Sequence, residues 1–109
     1  MKKLSTKISK PQKLHINYIF IGDSSGGLKI FNTRQQRLIK HHPHIFSANI
    51  TSMAITTDNY NLFLADANGN LKFYSLPRQK ITHNIPKALP AQICAMAITT
   101  DNKFLYVAG

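Results

Sequence analysis

Seven residues, Met53-Ala54-Ile55-Thr56-Thr57-Asp58-Asn59, recur unchanged as Met96-Ala97-Ile98-Thr99-Thr100-Asp101-Asn102, 43 positions later. The same offset sets Phe20 on Phe63, Asp23 on Asp66, Gly26 on Gly69, Leu28-Lys29 on Leu71-Lys72 and Pro43 on Pro86. It also sets Ile50 on Ile93, Leu62 on Leu105 and Ala65 on Ala108. Matches spread over so much of the chain without a gap mean tandem duplication of one structural unit. A repeated unit of this size buries its apolar faces by stacking on its neighbours, so the repeat sets the architecture.

Within the unit, β-branched and aromatic residues gather in runs of five or six bounded by Asn, Gly, Asp and Pro, the pattern of short strands rather than helices. Four strands are expected in the complete copy: 50–56, 62–66, 71–76 and 80–85. Asp58-Asn59, Asn68-Gly69 and Pro77-Arg78 break them. Asn68-Gly69 suits the positive φ of a two-residue hairpin turn, as does Ser25-Gly26-Gly27 in the preceding copy, and Asn59 and Asn102 suit a left-handed turn position. Pro43 and Pro86 should end the fourth strand, where no ladder donor is needed.

Four antiparallel strands repeating at about 40 to 45 residues describe a β-propeller blade. The segment from Ile50 to Leu76 resembles the WD-repeat core. That core runs as an apolar strand, a Pro-Asp-Gly turn, a second strand, an Asp-Gly turn and a Val-Lys-Leu-Trp-Asp strand. The resemblance covers residues 16–109, with its hallmark residues replaced. Tyr74 and Phe31 stand at the family's Trp, Ser75 and Asn32 at its Asp, and Asn68 and Ser25 at its turn Asp, while nothing matches the Gly-His pair. The family's buried polar network is therefore mostly missing, and aromatic packing is left to hold the unit.

The expected fold class is all-β, a partial β-propeller built from four-stranded antiparallel blades with a 43-residue repeat. A basic arm over 1–15 precedes an incomplete first blade over 16–49, a complete second over 50–92 and a truncated third over 93–109. Propellers use about 4 to 8 blades, so two and a half do not close a ring. The favoured expectation is a piece of a larger propeller; the other is that several copies assemble.

Composition narrows the setting. Apolar runs such as 104–108 are five residues long, against the roughly 18 to 20 that span a bilayer as a helix. Lys7, Lys10 and Lys13 interrupt any signal-peptide core after the basic start. The single cysteine, Cys94, excludes an intramolecular disulfide, which points to a cytoplasmic protein, and its apolar run marks it as an inert core thiol.

Lys and Arg number 14 against 4 Asp and Glu, a formal net charge of +10. Five of the 14 lie before residue 14. Arg34, Arg37, Arg78 and Lys80 fall in the turn between third and fourth strands, so adjacent blades should show them on one rim, a candidate anion-binding surface for nucleic acid or anionic lipid. A compositional habit is the simpler reading of this charge.

The four acids, Asp23, Asp58, Asp66 and Asp101, sit at turns, where a short carboxylate caps its own backbone. Their spacing follows the repeat, and no nucleophile with a positioned base accompanies them. His41-His42-Pro43-His44 is the one cluster that suggests a metal, through His42 and His44; a histidine-rich loop edge is the preferred reading, with no metal or cofactor expected. Repeated aromatics and Met53 and Met96 read as core between blades. The resemblance implies a non-enzymatic protein-interaction scaffold. The alternatives are the scaffold part of a propeller hydrolase or lactonase, and a basic rim that binds anionic lipid or nucleic acid.

Overall fold

The computed structural model describes residues 18–109, and the basic arm expected over 1–15 lies outside them. Nine strands follow in chain order: β1 (Tyr18–Gly22), β2 (Leu28–Asn32), β3 (Arg37–His42), β4 (Ile50–Ile55), β5 (Asn61–Asp66), β6 (Leu71–Ser75), β7 (Lys80–Ile85), β8 (Ala95–Ile98) and β9 (Leu105–Ala108). They form three antiparallel sheets, β1-β2-β3, β4-β5-β6-β7 and β8-β9, each strand paired with its sequence neighbour. The described residues contain no helix, and hence none long and apolar enough to cross a membrane.

The repeat is visible in fine geometry. A register shift interrupts the β2–β3 ladder between Ile30 and Phe31, and the β6–β7 ladder between Phe73 and Tyr74, 43 residues on. Asn59 and Asn102 both adopt φ 64°, and Gln36 and Gln79 both adopt φ 55°. β3 and β7 end immediately before Pro43 and Pro86.

The glycine hairpins differ from the expected two-residue form. Asp66 closes the β5–β6 turn by donating its N–H to Asn70 O at 3.1 Å and accepting that of Gly69 at 3.3 Å. Ala67, Asn68 and Gly69 thus form a three-residue loop. Only Gly69, at φ 89°, takes the left-handed position there, as Gly26 does at φ 86° in the β1–β2 turn. The extra residue lets an ordinary turn precede a single positive-φ residue, so Asn68 needs no special conformation.

Alternation along the strands turns one face of each sheet toward the next. Phe20, Leu28 and Ile30 of the first sheet share a core with Leu62, Leu64 and Tyr74 of the second and with Ile45 and Phe46 of the β3–β4 connection. Ala65 and Leu71 of the second, flanked by Phe63 and Phe73, pack with Ile93, Met96, Leu105 and Val107. Met53 and Met96 are half-buried at the edges of these cores.

Cys94 is exposed, contrary to the expected core thiol. It is Ile93, completely buried, that enters the core, and alternation breaks just before β8, where Cys94 and Ala95 are exposed in succession, as the preceding unit shifts register between Ile50 and Ser52. Cys94 occupies the repeat position of Thr51, whose hydroxyl donates to Ile93 O on the following unit.

Candidate functional site

The four rim cations are exposed at equivalent corners of successive sheets, but only Arg34 and Arg78 lie in the turns expected for all four, while Arg37 and Lys80 open the strands that follow. Arg34 lies in the β2–β3 turn with Arg37 at the start of β3; Arg78 lies in the β6–β7 turn with Lys80 at the start of β7. Short polar side chains shape both turns. Asn32 Oδ1 accepts the N–H groups of Arg34 and Gln35 at 2.9 and 3.1 Å, and Ser75 Oγ accepts that of Arg78 at 3.2 Å. These stand at the positions where the WD-repeat resemblance would have an aspartate. Leu76 N–H donates to Tyr60 O at 2.9 Å, which ties the β6–β7 turn to the β4–β5 turn on the same rim.

Every acid of the chain holds a turn. Asp58 Oδ1 accepts from the Thr56 hydroxyl at 2.5 Å and the Tyr60 N–H at 2.9 Å, and Asp101 repeats this with Thr99 and Lys103 at 2.6 and 3.0 Å. The Thr99 hydroxyl and the Lys103 N–H hold the Asp101 carboxyl below the ordinary aspartate range. Asp23 accepts the Gly27 N–H at 2.7 Å and both the N–H and the hydroxyl of Ser25 at 3.0 Å. Its carboxyl is lowered in the same way, chiefly by the Gly27 bond. Asp66 is fully buried and accepts from Asn68 and Asn70.

The histidine cluster is divided rather than convergent. His44 is exposed, while His42 Nε2 lies 2.8 Å from the phenolic oxygen of Tyr74 on the second sheet, with the rings edge to face at 5.1 Å. Among the described residues no group of three or more His, Cys, Asp or Glu has metal-binding geometry. Burial pushes the Tyr74 phenol up to about 12, and His42 is lowered by burial and by the positive Lys40 and His41 beside it. The pair escaped sequence reasoning because positions 42 and 74 lie in different units and at different places in the repeat. Position 74 is Phe31 in the first copy, and position 42 is Ile85 in the second. Both departures replace an apolar residue with a polar one on two faces that meet, and that coincidence was the available signal.

Two results should follow. His42→Leu leaves a fully buried phenol without its partner and should cost about 1–3 kcal/mol, whereas Tyr74→Phe, which leaves only the half-buried imidazole unpaired, should cost about 1 kcal/mol. A double-mutant cycle by urea unfolding checks the coupling. Because the folded state lowers the His42 pKa, the unfolded chain binds the proton more readily. Stability should hold above the ordinary histidine value near 6.5, then fall as pH drops through it toward the lower folded value. His42→Leu should flatten that slope; an unchanged slope would place its origin elsewhere.

A second polar contact ties the second sheet to the β3–β4 connection. Lys72 Nζ donates to Ile45 O at 2.5 Å and lies 5.0 Å from the centre of the Phe46 ring, so its ammonium is satisfied by a carbonyl and an aromatic face.

No protein-family model matches the sequence, and no curated protein matches it. Solved structures do. The β-propeller domain of Cps50 (Swd1) from Myceliophteria thermophila superposes with a TM-score of 0.73 at 15% identity, over 84% of this chain and 28% of that one. Hydrazine synthase from Kuenenia stuttgartiensis gives 0.73 at 20% identity, over 84% of this chain and 25% of that one. The chain thus spans about a quarter of the length of these structures. Its stacked antiparallel sheets are part of a β-propeller, the fold that the WD-repeat resemblance implies.

Proposed function

We propose that the chain is a non-catalytic interaction platform that binds a protein partner through its exposed turns, in the cytoplasm, without a cofactor. The observation that most supports this is the use of the acids. All four carboxylates are committed to hydrogen bonds that shape turns, whereas general acid–base chemistry needs a carboxylate directed at a substrate. The stacked sheets supply a rigid base, and Arg34, Arg37, Arg78 and Lys80 give one rim a cationic character suited to an acidic protein surface. The likeness to hydrazine synthase favours a second reading, in which the unit is the structural part of an enzyme chain whose reactive residues lie in other segments.

The rim is tested by charge reversal. An acidic peptide should bind the chain, lose affinity as salt rises, and lose about tenfold or more on combined Arg37→Glu and Lys80→Glu substitution. Tighter rim-dependent binding of phosphatidylserine vesicles or of a single-stranded oligonucleotide would transfer the surface to lipid or nucleic acid. Binding that ignores the reversal would remove the rim from the function.

A further inference from the structure

The 43-residue repeat allows one position to be followed through all three sheets. On the face turned toward the following sheet, Phe20 is 7% exposed and Phe63 packs in the second core, but Tyr106, their counterpart, is 63% exposed. On the face turned toward the preceding sheet, Leu62 and Leu64 are 2% and 0% exposed, while their counterparts Ile19 and Ile21 are 48% and 44% exposed. Phe31, across the ladder from Ile19, lies on that face at the position of the buried Tyr74. The described residues therefore present two apolar faces, and they are copies of the two sides of the internal interfaces.

Their shapes follow the same rule. β8 and β9 turn Met96, Ile98, Leu105 and Val107 inward and present Ala95, Ala97, Tyr106 and Ala108 outward. Small alanines beside one aromatic ring are also what the second sheet offers to β8–β9, through Ala54, Ala65 and Phe63. At the other end the isoleucines and Phe31 reproduce the bulky side of the interface between first and second sheets.

We infer that a second copy of this chain covers these faces, head to tail: the Ala97–Tyr106 face of one copy seats on the Ile19–Ile21–Phe31 face of the other, and the reverse contact closes a two-membered ring. Continuity with the existing interfaces commits the surface to this occupant, because the step from each sheet to the next is already encoded by the repeat. Stoichiometry follows from the sheets. The described residues of each chain bring three; those of a pair bring six, within the roughly 4 to 8 blades of closed propellers, and those of three copies exceed it. The inference rests on the propeller reading and not on the partner-binding role of the rim.

Light scattering on the purified 109-residue chain should give twice 12.3 kDa, with a strand-rich circular dichroism spectrum. Both copies are strongly cationic, so moderate salt should strengthen the dimer, opposite to its effect at the rim. Ile21→Asp and Tyr106→Asp alter exposed side chains, one on each face, and each alone should be a strand-rich monomer. Mixing the two variants should restore a dimer, because one interface in the mixed pair has both faces intact. Pairing of like faces would instead leave one variant dimeric and the mixture unrescued, which overturns the head-to-tail arrangement. A strand-rich monomer of the unaltered chain overturns self-association and leaves the propeller fold and the rim standing. An unfolded or aggregated chain overturns the dimer and the independent platform together.

Discussion

Replacing Gly69 with alanine should remove most of the stability of the chain. Gly69 sits at φ 89°, and a Cβ there would lie 2.0 Å from Leu89 O and 2.7 Å from Ala91 O, both backbone atoms of the β7–β8 connection. Left-handed strain alone costs a non-glycine residue about 1–3 kcal/mol. The steric overlap adds to it, because relief requires the connection to move. That connection is anchored to the same turn, with the Leu89 N–H on Gly69 O at 3.2 Å and the Ile93 N–H on Asp66 O at 3.3 Å. The expected loss is about 4 kcal/mol or more, against roughly 5–15 kcal/mol for a domain of this size. Gly26→Ala should behave alike, since its Cβ would lie 2.0 Å from Phe46 O. Gly22→Ala isolates the steric part: φ is not positive there, and the added Cβ would lie 2.7 Å from Ile50 Cγ2 and 2.8 Å from Ile50 Cβ, which no rotamer change can move. The start of β4 must then shift with no left-handed strain beside it, and the loss should fall short of that for Gly69→Ala. Urea unfolding of the three variants decides the matter. A loss below about 1 kcal/mol for Gly69→Ala would mean that the turn does not clamp the next sheet.

The contrast between these glycines shows what the sequence could and could not reveal. That Gly26 and Gly69 would need positive φ was legible, because the repeat placed both after a strand and before the next. That each clamps the connection leading to the following sheet was not, since the carbonyls of Phe46 and Leu89 approach only after the sheets stack. The same division runs through the chain. Strands were legible from composition and turn residues, and all four strands of the second unit lie where they were expected. The stacking order was legible from the offset. Cys94 was misplaced because its apolar neighbourhood gave the burial of the run and not the irregularity at its start: Cys94 and Ala95 are exposed in succession, at the position where the preceding unit shifts register between Ile50 and Ser52. Arg34 and Arg78 were legible as turn residues, whereas Arg37 and Lys80 open the next strand; the partner of the rim is a matter of surface chemistry, which the repeat does not encode. The His42–Tyr74 contact joins residues from different units, each of which replaces an apolar counterpart.

Asp66 should show the second large effect, and its neighbours make the cause separable. The carboxylate is fully buried; Oδ1 accepts the N–H groups of Asn68 and Asn70 at 3.0 and 2.8 Å, and Oδ2 accepts Asn70 Nδ2 at 3.1 Å. Asp66→Ala leaves those donors unaccepted beneath the packed connection, and hydrogen bonds to a charged acceptor are the costly ones to lose, so about 2–4 kcal/mol should disappear. Asp66→Asn keeps an oxygen for the two backbone donors but sets one amide NH2 against another at Asn70, and should cost about 1–2 kcal/mol. Reversing the pair, Asp66→Asn with Asn70→Asp, returns an acceptor to that contact and should recover part of the loss. Melts of the three variants distinguish a requirement for charge from a requirement for geometry. If the reversed pair is no more stable than Asp66→Asn alone, the carboxylate acts through its charge at that point in the core. Recovery would mean that the turn needs only its acceptors. The Ile93 N–H, which reaches Asp66 O at 3.3 Å, ties that requirement to the start of the following sheet. The cost of Asp66→Ala should therefore appear as loss of the β8–β9 sheet before the rest unfolds, visible as early hydrogen exchange at Ala97 and Tyr106, which face each other as a bonded pair in that ladder.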